Sequence, residues 1–366
     1  MTNTQTMYSA DLVGKKESVV DEILLLNPNQ TPLINLLGFS KPTTNTIHAW
    51  YEDEMFPTKA KTTAVADAAT TDLKVDDVEP FTVDSVAQID EELVLVTAIN
   101  AGTKTLTVVR GYTGTTAAAI TKGVDIEFLF TKGAEGMEAR KARVKPRTRQ
   151  DNNTQIFMES VSVTGTAQAV DQYGIQDLYD HERVKKQLEL ALQLEKALIN
   201  GIKYDDGSVR QMAGMRQFIK TNVTDAAGAK VGLDMLRDMA QSVFKNGGLS
   251  SGGQYVFIVS ANQKVAISDL QGDKLRLVQS ETARGQVVDK VVTDFGTFSI
   301  VMDDNVKDNE IFFIDPARIA IRPLKGREFG HVETAITGDT KGGFVVGEYT
   351  LEFLQEKAHA RIKNLG

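Results

Sequence analysis

The chain has 366 residues, enough for two or three compact domains, and 42% of them are hydrophobic, too many for a disordered protein. It holds no cysteine, which excludes disulfides, thiolate metal sites and cysteine nucleophiles and leaves stability to packing and assembly. A net charge of -8 argues against a dedicated nucleic-acid binder, although an acidic shell can still enclose DNA without adhering to it.

The opening MTNTQTMYSADLVGKKES lacks the apolar core of a signal peptide, and no run reaches the ~18 apolar residues of a membrane helix. Synthesis in the cytosol is therefore expected. Residues 1–45 read as an arm. Ser18–Leu26 is a short amphipathic stretch, and TPLINLLGF (31–39) is an apolar knot. So little apolar surface must dock elsewhere, on its own chain or on a neighbour, which makes Leu33, Leu36 and Leu37 candidate inter-subunit contacts. TIHAWYEDEMF (46–56) reads as extended, and the small polar residues of KAKTTAVADAATTDLK (59–74) suggest a flexible connector.

Residues 79–130 change character. Strand-like runs at Glu92–Ile99 and Thr105–Arg110 flank a turn at Asn100–Thr103, and Asp125–Phe130 adds another strand, so a small all-β module is expected. Its TLTVVRGYTGTT (105–116) has the look of a phosphate-binding loop. However, no Lys-Ser or Lys-Thr pair follows Gly111 and Gly114, so a structural turn is the better reading. Next come Arg140, Lys141, Arg143, Lys145, Arg147 and Arg149 in one short span. If that span is extended, Arg143 to Arg149 present four charges on one face. Phosphate binding, a solvated β-edge and contact with an acidic neighbouring subunit are the three possible uses, and the acidity of the whole chain favours the third. QIFMESVSVTGTAQAV (155–170) is again strand-like.

The clearest helix covers 174–203. Val184, Leu188, Ala191, Leu192, Leu198 and Ile202 recur at three- and four-residue steps, Asp171 is a possible cap, and Glu182 and Lys186 form an i,i+4 pair. Leu190, Leu194 and Ala197 make its second half apolar on nearly every face, which predicts burial on several sides. Residues 233–335 read as an α/β unit, with helices at Leu233–Lys245 and Asn262–Leu270 and strands at YVFIVS (255–260), Phe298–Met302, Ile311–Ile314 and Ile319–Ile321. The long strand FVVGEYTLEF (344–353) sets Val345, Tyr349, Leu351 and Phe353 on one face and Glu348, Thr350 and Glu352 on the other.

Catalytic motifs are weak. Gly248–Gly252 matches GxSxG but follows a helix and precedes a strand, the reverse of a nucleophile elbow. His181-Glu182 opens an HExxH pattern whose second histidine is Lys185, a cation that cannot ligate zinc. His48, His181, His331 and His359 are isolated in sequence, and the adjacent acids Glu91–Glu92 and Asp303–Asp304 read as solvated turns and strand ends. No catalytic, cofactor or metal residue is assigned.

The order of arm, extended excursion with an inserted β module, long helix, α/β unit and terminal strand resembles the major capsid proteins of tailed bacteriophages with the Hong Kong 97 fold. DNNTQIFMESVSVTGTAQAV (151–170), followed by the rod from Tyr173 onward, and TPLINLLG (31–38) look like the branch typified by phage SU-ten. The resemblance implies an α+β fold with an N-terminal arm (1–45), an extended loop (46–78 and 131–170), a β insertion domain (79–130), a peripheral domain with a spine helix (171–225 and 310–366) and an axial domain (226–309). It further implies a structural protein without enzyme activity or cofactor, made in the host bacterial cytoplasm and found in the virion. Such a protein assembles as hexamers and pentamers into an icosahedral head around double-stranded DNA. It implies no sequence-specific DNA binding and no membrane, and it brings possible scaffold, portal and decoration proteins as partners. An encapsulin-like nanocompartment is the rival within the fold, and a hydrolase using the serine of 248–252 the rival from another class.

Overall fold

The computed structural model describes residues 31–170, 175, 177–249, 254–270, 278–282, 286–335 and 338–366. The chain divides into two compact units, one of residues 51–148 and one of residues 1–50 with 149–366.

The smaller unit is an antiparallel β structure of six strands, in the spatial order Lys59–Lys61, Asp125–Thr131, Ser85–Ile89, Glu92–Asn100, Thr105–Val109 and Asp72–Lys74. Its two outer strands meet. Thr62 bridges Val75, Thr63 N–H donates to Lys74 O at 2.9 Å, and Asp76 N–H donates to Lys61 O at 2.9 Å. The sheet thus closes into a barrel, which removes exposed strand edges. Residues 59–74 are therefore not the expected flexible connector. Ala60, Ala66, Leu73 and Val75 enter the barrel core beside Phe81, Val94, Leu106 and Ile126.

In the larger unit the long helix spans Leu178–Asn200, shorter at both ends than 174–203. Asp177, not Asp171, caps it by accepting the Asp180 N–H at 3.0 Å; Asp171 lies outside the described residues. Leu190, Leu194, Leu198 and Ile199 are fully buried, while Val184 and Leu188 stay 44% and 39% exposed. The buried stripe is therefore rotated from the expected one, while the apolar second half is enclosed as expected and Tyr179 is buried in the first half. Glu182 pairs with Lys185 and Lys186 with Glu189, each three residues apart, in place of the Glu182–Lys186 pair.

That helix packs on a four-stranded antiparallel sheet centred on Thr340–Phe353. Gln155–Thr164 pairs along one edge of this strand, and Ile319–Pro323 and Gly330–Glu333 along the other. Val345, Tyr349, Leu351 and Phe353 face the helix in one core. A seven-stranded mixed sheet runs Val223–Asp225, Ala360–Lys363, Ile311–Ile314, Val256–Val259, Gly296–Met302, Gln286–Thr293 and Val278–Thr282. Its central VFIV and IFFI runs are buried throughout, as uninterrupted apolar runs require. Ile258, Phe312 and Ile314 face the first core, whereas Phe257, Val259, Ile311 and Phe313 face a second, closed by helices Leu233–Lys245 and Ala261–Asp269. None of the described helices is long and apolar enough to cross a membrane.

Candidate assembly surface

The TLTVVRGYTGTT stretch is a turn with a structural task. Gly111 has φ +60°, and a Cβ there would lie 2.7 Å from Thr115 O. Around it Glu92, on a barrel strand, accepts from Arg110, Gly111 N–H and Ala118 N–H. Burial opposes its charge, but these donors hold its carboxyl below the usual range. Glu92 is thus not the expected solvated acid, and neither is the buried Asp303. Each sits beside an exposed acidic neighbour, Glu91 and Asp304.

The basic segment forms no strand before Thr148, and residues 137–147 have no regular structure. Opposing charge comes from the same chain. Lys145 pairs with Glu54 at 3.4 Å and Glu79 at 3.7 Å, Arg147 with Asp53 at 3.3 Å, and Arg149 with Asp151 at 2.8 Å. Arg143 lies 4.0 Å over the Phe56 ring and donates to Glu79 O, and Arg140 donates to Lys132 O. Lys141 is exposed and has no ion partner among the described residues. Two of the six basic residues, Lys145 and Arg147, thus pair with acids of YEDE (51–54) in their own chain.

The apolar knot forms a one-and-a-half-turn helix, Pro32–Leu37. Leu33 is fully buried within its own chain, in the core shared with Leu190 and Leu194, so it is not available to a neighbour; Leu37 packs on the same core, and Leu36 is half-buried.

An exposed apolar surface was missed in the sequence. Pairing register puts Ile156, Met158, Val332, Phe344 and Val346 on the sheet face opposite the long helix. Ile156, Met158 and Val332 are 48%, 59% and 46% exposed. Further along the same face the side chains are covered and polar: Glu348 accepts from Thr154 and pairs with Arg210 and Arg327, and Glu352 pairs with His48 and Arg322. Burial works against the Glu352 charge, but the hydrogen bonds from His48 and Arg322 bring it down to about 2. The signal available in sequence was the alternation Ile156, Met158, Ser160, Ser162, which marks a face without saying whether it is covered.

Among the described residues no group of three His, Asp or Glu side chains is placed to hold a metal ion. His181 and Glu182 lie on the long helix, with Lys185 bonded to Glu182. Ser250, Ser251 and Gly252 of the GxSxG match lie outside the described residues.

Among solved structures, the chain is similar to the capsid asymmetric unit of cyanophage A-1(L), at 8% identity and TM-score 0.56 over 98% of both chains. It is also similar to the capsid of the native GTA particle, at 10% identity and TM-score 0.53 over 98% of both chains. Overlap with the holo-SrpI encapsulin complex of Synechococcus elongatus covers 60% of this chain and 76% of that one, at 12% identity and TM-score 0.43, too loose to bear on function. No curated protein matches the chain in sequence. The two longer overlaps show the mixed α and β fold of phage capsids, and the SU10 major capsid protein family model matches residues 1–366; the chain therefore belongs to that family, as a structural capsid protein of the phage virion that assembles in many copies and is not an enzyme.

Proposed function

We propose that the chain assembles as hexamers and pentamers into an icosahedral head that encloses the phage's double-stranded DNA, with scaffold, portal and decoration proteins as further partners and synthesis in the host cytoplasm. The observation that carries this reading is the bare apolar face of Ile156, Met158 and Val332. A contiguous apolar patch on a structural protein marks a contact surface. Within this reading the long helix is the spine of a peripheral domain (171–225 and 310–366), 226–309 an axial domain, and 46–58 with 132–170 an extended loop carrying the barrel, whose strands begin at Lys59 rather than at the expected 79. DNA is enclosed without sequence-specific contacts, in keeping with the net charge of -8. Sedimentation and negative-stain imaging of the purified chain test the reading. Capsomers or closed shells are expected, and a monomer at every concentration and salt would overturn it.

A further inference from the structure

The four-stranded sheet of the larger unit is closed along one edge and open along the other. On the closed edge the arm runs parallel to the strand Ile319–Pro323, with bridges from Phe39 to Ile321 and from Thr43 to Leu324. Ser40 N–H donates to Ile321 O and Thr43 N–H to Pro323 O, each at 2.8 Å, and Lys325 N–H donates to Thr43 O at 2.9 Å. The other edge is the ten-residue strand Gln155–Thr164, which pairs in unbroken register with residues 340–349. Gly165 N–H continues that ladder to Asp339 O at 3.0 Å, which fixes its parity: odd-numbered residues of the strand turn N–H and C=O inward, and even-numbered residues turn theirs outward. The far side of the central strand agrees, because Glu348 and Gly342, the partners of Ile156 and Ser162, bond Arg327 and Thr334 there. Thr154, also even, gives its outward N–H to Thr46 O at 2.8 Å. From Ile156 to Ser162 no strand lies beyond that edge among the described residues.

Such an edge is a template for another strand, and proteins that keep one free place lysine, proline or a bulge along it. QIFMESVSVT has none of the three, and its one charge, Glu159, lies on the helix side, where it accepts from Gln193 Nε2 at 3.0 Å. The even-numbered residues with outward backbone groups include Ile156 and Met158, whose side chains are bare, so edge and apolar face form one surface. We propose that the outer edge of Gln155–Thr164 receives an extended segment from a second copy of this chain. The proposal rests on the reading of the chain as a shell subunit and names what covers the bare face. The long helix packs over this same strand on the other face. Pairing the strand with its own counterpart by a two-fold axis would drive two such helices together, because strands pair at about 4.8 Å whereas helix axes need about 8–10 Å. The contact is therefore heterologous, the open edge of one copy against a different, uncovered segment of the next, a type that generates rings when its rotation closes. Residues of the added strand beside Ile156 and Met158 are expected to be apolar, and those beside Ser160 and Ser162 small or polar.

Residue-resolved hydrogen exchange on the purified full chain, assembled and unassembled, tests the pairing. Assembly is expected to slow exchange about a hundredfold at Ile156, Met158, Ser160 and Ser162, whose N–H groups point outward. Phe157, Glu159, Val161 and Val163 should change little, because the chain's own ladder already protects them. The alternation distinguishes strand pairing from a partner that only covers side chains, which has no reason to follow the parity of the backbone. Ser160→Pro removes one outward donor at an edge position, where proline is tolerated, so the unassembled variant should keep the wild-type circular dichroism while its assembly needs about tenfold more protein. If that variant misfolds, the wild-type exchange pattern decides the matter. Shells whose outward amides exchange as fast as in the unassembled chain, or a folded Ser160→Pro that assembles at the wild-type concentration, would overturn the pairing and leave shell formation standing. A chain that stays monomeric would overturn both. Protection that appears only after a different protein is added would overturn the second copy as the occupant.

Discussion

Arg110 grips Glu92 inside the barrel, Nε to Oε1 at 2.7 Å and Nη2 to Oε2 at 2.8 Å, the fork geometry that guanidinium and carboxylate share. Arg110 also donates to the carbonyls of Asp67, Thr70 and Ala118, and Glu92 takes the amides of Gly111 and Ala118. One ion pair thus ties the closing segment 67–70 to the turn 110–118.

Arg110→Ala is expected to destabilise the barrel by about 3–5 kcal/mol, because it leaves Glu92 buried and uncompensated. Arg110→Lys should lie between, having a point charge but no fork. Hydrogen exchange of the barrel strands, with the long helix as reference, checks both. Glu92 is depressed in the fold, so its contribution is present above 4.5 and lost as pH falls through its lowered value.

The long helix separates what its sequence reveals from what it hides. Leu194→Ala, at a fully buried site, should cost about 2–5 kcal/mol, and Leu194→Asp should yield insoluble protein. Leu188→Asp, on the exposed side, should leave a soluble, folded chain. Circular dichroism and solubility on expression distinguish them; insoluble Leu188→Asp would show that this face is covered.

The helix, the long strand 344–353 and the runs VFIV and IFFI were legible because each pattern follows from burial on a periodic backbone. The rotated stripe was not, because leucines cover most of the helix circumference and only the sheet decides which side is enclosed. The closing strands 59–61 and 72–74 were hidden for the opposite reason. Alanine and threonine look like a linker, and only closure of the barrel gives them a core to face. The burial of the arm's Leu33 and the intrachain partners of Lys145 and Arg147 were not legible because their counterparts, Glu195 for the arm and Asp53, Glu54 and Glu79 for the basic span, are remote in sequence.

The bare sheet face carries the assembly prediction. Ile156→Asp with Met158→Asp puts two charges on an exposed surface, so folding should be unaffected. If neighbouring copies cover the face, each buried carboxylate costs several kcal/mol, and the contact recurs throughout a shell. Unaltered melting with loss of shells in sedimentation is the expected result; normal shells would place the contact elsewhere.

The last prediction concerns acid. His359 is fully buried, with Nδ1 accepting the Asp315 N–H at 3.2 Å and Nε2 facing Leu354 O at 3.2 Å. Burial lowers it to about 3, so the fold holds it neutral. A lowered histidine binds its proton more readily in the unfolded chain, so stability is lost as pH falls from about 6.5 toward 3, at about 1.4 kcal/mol per unit. Glu195 has the opposite slope between 4.5 and 8. From 4.5 to 6.5 the two oppose each other, and wild-type unfolding should vary little with pH across that range on their account. Glu195→Gln removes one arm of this balance. Its chemical unfolding free energy should then rise with pH between 4.5 and 6.5 more steeply than wild type's, by at most about 1.4 kcal/mol per unit, because Asp303 is raised by burial as well and still opposes the histidine. A variant as flat as wild type would mean that His359 titrates near its ordinary value, and that the ring is hydrated in solution.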